Sequence, residues 1–400
     1  MKLHRNLVAA VADALQAVLI EGKQADTLLE RMFHANKNWG ARDRNFIASN
    51  TYYIIRYKRL LAYCAGLEPT DRLGFWRLFA VKHVLDGFPL PEWPETEVLH
   101  TEAILKRHEE AKATRKIAES IPDWLDELGE QEIGDAWGAE IHALNGTAAV
   151  GLRINTLKAA PANVKTELQR DGILFDEVPG MPEAMVLKER KNFRAHFAYK
   201  SGWFEIQDVS SQHVAPLLDP KPGMTVIDAC AGGGGKSLHI AALMQNQGKL
   251  IAMDVNAHKL REMDKRMERA GVTMAGLQLA EEETIASLKD SADRLLLDVP
   301  CSGTGVLRRK PDAKWNLSPE FLDGIRKTQA EILANYTSMV KPGGIAVYST
   351  CSILPSENTD QIQKFLAANP GKFQLLEEHS ISPAQTGFDG FYMAKLKRLK

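Results

Sequence analysis

The sequence predicts an α/β chain: a doubly wound parallel sheet in the second half, preceded by a small α+β module and an all-helical N-terminal region. Three observations predict it. No strand-like alternation occurs before residue 148. From about residue 205 onward, short apolar runs alternate with helical stretches, the pattern of a parallel sheet with crossover helices. A run of four glycines, Gly232–Gly235, sits at the first of these strand-to-helix junctions. A length of 400 residues is enough for three such parts.

The elements follow in order. Leu7, Val11, Leu15 and Val18 form one apolar stripe of an amphipathic helix. Arg44 to Leu61 reads as a second helical stretch. Phe88-Pro89-Leu90-Pro91-Glu92-Trp93-Pro94 is a loop. Ser120-Ile121-Pro122-Asp123 resembles a capping box that opens a helix at Trp124. We therefore read residues 1–140 as an all-helical domain. Between 145 and 205, Val150–Asn155 alternates like a strand, Pro161–Arg170 is helical, and Gly172–Val178 and Ala184–Leu187 are short strands. In the part from 206 to 400, the expected strands are Met224–Ile227, Lys249–Asp254, Leu277–Leu279, Arg294–Asp298 and Ile345–Ser349. Phe391–Leu399 is expected as an added edge strand. Helices are expected over Ala257–Ala270 and from about Pro319 to Val340.

Composition narrows the function. There are 50 basic and 51 acidic residues, a net charge of −1. A uniformly basic nucleic-acid coat is excluded, but a local basic groove is not. No apolar run approaches the roughly 18 residues of a spanning helix, so no membrane role is expected. The start lacks a signal peptide's apolar core. The four cysteines, Cys64, Cys230, Cys301 and Cys351, are scattered and form no CxxC pair. That suits neither a disulfide framework nor a metal site, and a cytoplasmic, monomeric protein with reduced thiols is the expectation.

Cys230-Ala231-Gly232-Gly233-Gly234-Gly235-Lys236-Ser237 lets backbone approach a ligand and presents amides at a helix start. A Walker loop would need glycine at position 230, and a dinucleotide fingerprint would need it at position 237; both fail. S-adenosylmethionine is the third candidate, with Asp254 at the end of the next strand placed for its ribose hydroxyls. Asp254 alone would serve a nicotinamide dinucleotide as well. A tight turn that merely packs helix on strand is the bland alternative, entropically wasteful for four glycines.

Two cysteines fall just past expected strand ends, where open parallel sheets bind ligands. They lie in Asp298-Val299-Pro300-Cys301-Ser302-Gly303 and Ser349-Thr350-Cys351-Ser352. A lone cysteine is usually a small core residue. Two beside a cofactor turn suit methylation of cytosine carbon 5. That carbon becomes nucleophilic only after a thiolate adds to carbon 6. A carboxyl such as Asp298 would serve nitrogen 3, and a second polar group would assist release.

Asp228–Ser237, Asp298-Val299-Pro300-Cys301-Ser302-Gly303-Thr304-Gly305-Val306-Leu307-Arg308-Arg309 with Trp315, and Tyr348-Ser349-Thr350-Cys351-Ser352 resemble the motifs of Sun/NOP-type RNA cytosine-5 methyltransferases. Leu152–Lys158 and Ile206–Gln212 match segments upstream of the core, so the resemblance covers about 145 to 400. It implies a Rossmann-like class I methyltransferase sheet, S-adenosylmethionine as cofactor and RNA as partner. It also implies Cys351 as nucleophile and Cys301 as the residue aiding release. DNA enzymes of this chemistry attack from the Pro-Cys motif and lack the Thr-Cys motif. The family's glycine turn usually has Ala-Pro where this chain has Gly232-Gly233. Helices before residue 140 resemble, more weakly, the NusB-like domain of the bacterial ribosomal RNA methyltransferase B branch, through Gly40–Arg44, Tyr52, Tyr53 and Arg56.

The expected catalytic set is Cys351, Cys301, Asp298 and Lys236, the lysine orienting Asp298. The expected cofactor set is Cys230, Ala231, Gly232, Gly233, Gly234, Gly235, Lys236, Asp254, Asp298 and Glu281, the last standing for the acidic run Glu281–Glu283. RNA contacts are expected from Arg153 and Asn155, from Lys191 and Arg194 in the basic, aromatic strip Lys188–Lys200, and from Arg308, Arg309, Lys310, Lys314 and Trp315. Ribosomal RNA is favoured over transfer RNA. A non-catalytic ribosome-assembly factor is the rival class.

Overall fold

The structure, a computed structural model, describes residues 3–400. The chain divides into two compact units: one runs to Gly146 and takes in Leu307–Pro319, the other comprises Thr147–Val306 and Glu320–Lys400. Among the described residues no helix is long and apolar enough to cross a membrane.

The first unit is helical. Its central helix, Arg5–Leu19, buries Leu7, Val11, Leu15 and Val18. That helix packs on helices Ala41–Arg56 and Arg72–Leu85. The stretch read as one helix from Arg44 to Leu61 is two, broken at Tyr57 between Ala41–Arg56 and Lys58–Ala65. The capping box expected at Ser120 is absent. Helix Asp123–Ile133 starts after Pro122 with no side-chain cap. Ser120 instead takes a left-handed conformation with φ 53°, and its Oγ accepts a hydrogen bond from Arg59 N at 2.8 Å. A distant backbone amide has outcompeted the local one.

Leu307–Pro319, read from the sequence as part of the C-terminal domain, belongs to this helical unit. Trp315 packs against the helical core and its Nε1 donates to Ile55 O at 2.7 Å.

In the second unit, strands β1 (Val150–Ile154), β2 (Phe175–Val178), β3 (Met181–Leu187) and β4 (Phe204–Ile206) form an antiparallel sheet ordered β2-β3-β1-β4. Leu152, Ile154, Met185, Leu187 and Phe204 cover one core with Val164 and Leu168 of helix Pro161–Arg170.

The larger sheet has seven strands: β5 (Thr225–Asp228), β6 (Lys249–Asp254), β7 (Ala275–Leu279), β8 (Ala292–Asp298), β9 (Val340–Thr350), β10 (Phe373–Ile381) and β11 (Phe391–Arg398). Their order is β10-β11-β9-β8-β5-β6-β7. Strands β5 to β9 are parallel. Leu295, Leu296 and Leu297 of β8 are all fully buried, as expected of a strand covered on both faces. The sequence placed Phe391–Leu399 at the edge. It lies instead between β9 and β10, antiparallel to both. The edge is β10, whose mostly exposed, polar residues gave no strand signal.

Candidate active site

Two parallel strands deliver a turn and a carboxylate side by side. β5 ends at Asp228, and the glycine turn carries the chain into helix Gly235–Leu243. The turn is held against the end of β6. Ala231 N donates to Met253 O at 2.8 Å, and Gly232 N donates to Asp254 Oδ2 at 2.9 Å. Asp254 Oδ1 accepts from Asn256 N at 2.8 Å. Gly234 has φ 82°, and a Cβ there would meet Met263 Cγ at 2.6 Å, so only glycine fits. Gly232 has φ 55° but open space where its Cβ would lie. Open space at Gly232 beside a carboxylate with spare lone pairs fits a ligand carrying a hydroxylated sugar. Glu281 is exposed after β7, ahead of the short helix Glu282–Ser287.

Beneath the turn, Asp228 is fully buried. Ser237 Oγ donates to its Oδ2 at 2.5 Å, while its Oδ1 lacks a partner. Burial pushes this carboxyl up to about 7, opposed by the Ser237 bond. Burial also pushes the Cys230 thiol far up, with Asp228 adding to it. Cys230 therefore stays a neutral thiol.

Asp298 and the two remaining expected cysteines come from the ends of β8 and β9. Asp298, at the end of β8, bonds Lys236 Nζ through Oδ2 at 2.6 Å and Ser349 Oγ through Oδ1 at 2.9 Å. The Lys236 ammonium also lies over the Phe391 ring, 5.0 Å from its centroid. The loops after these strands bring Cys301 Sγ within 3.3 Å of Cys351 Sγ. Both cysteines are free and half-buried. The Cys301 thiol is held well above the usual thiol range, first by its bond to Cys351 and then by burial.

A buried carboxylate underlies both loops and gave no sequence signal. Glu357 is 0% exposed. Its Oε1 accepts from Ser302 Oγ and Ser352 Oγ, each at 2.5 Å. Its Oε2 accepts from Ser302 N at 2.8 Å and from Gln329 Nε2 at 2.9 Å. The only sequence hint was that a serine follows each cysteine. Ser349 was likewise missed, although it lies in the motif containing Cys351.

Several expected RNA contacts do other work. Arg153 is 2% exposed, and its Nη1 donates to Gly235 O at 2.9 Å. Burial lowers its guanidinium to about 9. It braces the glycine turn and offers nothing to a phosphate. Asn155 is buried too, with Nδ2 donating to Gly202 O and Ala270 O, each at 2.8 Å. Lys314 is 0% exposed and its Nζ donates to Arg56 O at 2.8 Å and Asn145 Oδ1 at 3.0 Å. Arg308 is 4% exposed, and its carbonyl accepts from Arg56 Nη2 at 2.7 Å. Trp315 is committed to the helical core, as described above. Arg309 is half-buried, whereas Lys191, Arg194 and Lys310 are exposed.

Residues 215–397 match the family described as 16S rRNA methyltransferase RsmB/F. Residues 121–194 match the ferredoxin-like domain of Methyltr_RsmF/B-like proteins. A probable ribosomal RNA small subunit methyltransferase B of Synechocystis sp. is 33% identical over 304 residues, covering 70% of this chain and 67% of that one. The alignment thus spans about two thirds of the relative's length. A crystal structure of a methyltransferase homolog protein from Pyrococcus horikoshii is 28% identical with a TM-score of 0.64, covering 71% of this chain and 98% of that one. The crystal structure of NSun6 from Pyrococcus horikoshii with SFG shares the fold, with a TM-score of 0.65 at 20% identity, over 70% of this chain and 98% of that one. With the seven-strand sheet and the motif positions described above, these matches show that the chain belongs to the 16S rRNA methyltransferase RsmB/F family.

Proposed function

We propose that this protein methylates carbon 5 of a cytosine in small-subunit ribosomal RNA, with S-adenosylmethionine as methyl donor and Cys351 as covalent nucleophile. The observation that carries the reading is the pair of thiols 3.3 Å apart, next to a carboxylate tied to Lys236. Glycosidic and phosphoryl transfer have no use for two adjacent free thiols. A ring carbon that must be activated and then released does.

The residues divide the work. The glycine turn and Asp254 would hold the cofactor; NSun6 from Pyrococcus horikoshii, which shares the fold, was solved with the S-adenosylmethionine analogue SFG. When bound, S-adenosylmethionine supplies an electrophilic methyl group. Asp298, fixed by Lys236 and Ser349, would meet nitrogen 3 of the base and, carrying a proton, donate it to that nitrogen as negative charge is drawn into the ring. Cys351 Sγ forms a bond to carbon 6, and its electron pair makes carbon 5 nucleophilic. After methyl transfer a water molecule takes the carbon 5 proton, the electron pair of that carbon–hydrogen bond restores the carbon 5–carbon 6 double bond, and the sulfur–carbon 6 pair leaves with Cys351 as a thiolate. Cys301, kept as a neutral thiol, sits where it can assist that elimination. The 3.3 Å separation puts either sulfur within reach of one carbon, so order of action is a chemical question.

A denaturing gel answers it. Cys301→Ala should add to the base, transfer the methyl group and stall, giving a slow, RNase-sensitive band. Cys351→Ala and the double variant should give no band and no product. Loss of the band in Cys301→Ala instead would reverse the two roles. Full activity in both single variants would discard covalent catalysis.

A further inference from the structure

We propose that Glu357 is a positioning residue that sets the spacing of the two cysteine loops, and so the geometry in which one thiol attacks and the other assists release. The proposal rests on the cysteine roles given above.

The two loops come from different strands and are 50 residues apart at the thiols. Nothing covalent fixes their separation. The loops touch directly at Gly305 N to Cys351 O, 2.9 Å, and at Ile353 N to Thr304 Oγ1, 3.2 Å; beside these contacts one carboxylate spans them, and it grips the residue immediately after each cysteine: Ser302 follows Cys301, and Ser352 follows Cys351. Oε1 takes both serine hydroxyls at once, at 2.5 Å each. Oε2 takes the backbone N–H of Ser302 and the Gln329 amide. Four donors converge on a group that only accepts when ionised. Thr304 completes the cluster, its Oγ1 lying 2.9 Å from Ser352 Oγ. Glu357 itself is anchored through its backbone carbonyl, which accepts from Tyr348 Oη at 2.7 Å. All of Ser352, Thr350, Gln329 and Glu357 are 0% exposed. The carboxylate is thus held from β9 while it holds the β8 loop, and a shift of either loop breaks charge-assisted bonds in a buried site.

The charge matters less than the acceptor facing Ser302 N–H. Glutamine can keep its oxygen toward Ser302 N and Gln329 and turn its amide nitrogen to the two hydroxyls, which rotate to accept. Alanine abandons all four donors. Glu357→Gln should therefore retain most of the spacing, and Glu357→Ala should lose it.

The test reads the spacing directly. Diamide removes two hydrogens from the thiols and joins Cys301 to Cys351, at a rate set by how often the sulfurs meet. Purified full-length protein is treated with diamide, the disulfide is followed by mass spectrometry after alkylation, and kcat and S-adenosylmethionine affinity are measured beside it. For Glu357→Ala we expect disulfide formation slower by about tenfold and kcat lower by about a hundredfold, the scale of a 1 Å misplacement. Cofactor affinity should be unchanged and Glu357→Gln should restore both rates. Should the alanine variant fail to fold, the Ser302→Ala/Ser352→Ala double variant, which keeps Glu357 and its packing, should slow both rates in the same direction. Wild-type disulfide formation in the folded variant overturns the proposal, whatever kcat does. Slow disulfide formation in a protein whose Cys351→Ala form still methylates RNA would uphold the bridge and discard the catalytic reading, so the two failures are distinguishable.

Discussion

Replacing Asp228 by asparagine removes a charge from beneath the glycine turn and almost no volume. Asp228 is fully buried, one oxygen bonded to Ser237 and the other without a partner. Burial lifts its carboxyl from the ordinary 3.8 to about 7. A carboxyl that holds its proton more tightly when folded contributes its full stability below pH 3.8, and that contribution is lost as pH rises toward 7. At about 1.4 kcal/mol per pH unit, the loss is on the order of 4 kcal/mol. Asparagine carries no such dependence, though its amide nitrogen would face the unpartnered side at a cost of roughly 1–3 kcal/mol. The two proteins should therefore cross: wild type is the more stable near pH 4, and Asp228→Asn the more stable near pH 8. Titrations away from Asp298, Lys236 and Cys230, the groups that feel this carboxyl, are common to both, so the difference between their melting curves reports mainly on Asp228. Across that range the difference in Tm should swing by about 10 °C for a unit of this size. Calorimetric scans at half-unit pH steps measure it. Parallel curves would mean that Asp228 is ionised in the folded protein without penalty, and that a polar partner satisfies its second oxygen.

Three further outcomes are expected. Asp254→Ala should weaken S-adenosylmethionine binding roughly ten- to a hundredfold, the loss of hydrogen bonds to a charged acceptor, measured by titration calorimetry; unchanged affinity would place the ribose elsewhere. Neutralising Lys191 and Arg194, exposed after β3, should lower RNA affinity and reduce the salt-dependence slope by about two in a binding titration, with cofactor affinity constant. Lys314→Met should alter the pH dependence of melting in the opposite sense to Asp228→Asn. Burial lowers the Lys314 ammonium from 10.5 to about 7, so wild type gains stability relative to the variant as pH rises across that window; a constant difference would show Lys314 charged and fully compensated.

The sheet, the glycine turn and the paired cysteines were legible because their signals are local. Apolar runs such as Leu295-Leu296-Leu297 mark buried parallel strands, and glycines at a strand-to-helix junction mark a turn that needs left-handed backbone. What was not legible depends on partners far away in sequence. Lys314 reads as a phosphate ligand until Arg56 O, 258 residues away, is brought to it. Arg153 reads the same way until the Gly235 carbonyl, 82 residues away, takes its guanidinium. Ser120 has the composition of a helix cap, and a long-range amide claims its hydroxyl. Strand β10 escaped because an exposed edge has no reason to be apolar.

The same misreadings show how the site is built. Its buried polar side chains hold backbone in place, and the groups facing the ligands are few. Asp254 clamps the amides of Gly232 and Asn256. Arg153 clamps the carbonyl of Gly235. Glu357 clamps the residue after each cysteine. Each clamp serves one part of the reaction: the first two shape the glycine turn, the third sets the thiols. Loss of a turn clamp should therefore raise the cofactor Kd and leave the rate of adduct formation at saturating cofactor nearly intact. Loss of the thiol clamp should do the reverse. The two classes of variant act on structures reached from different strand ends, so their free-energy effects should add when combined. Measured coupling between Arg153→Met and Glu357→Ala would instead mean that turn and thiols move as one body, and that cofactor binding itself sets the cysteine spacing.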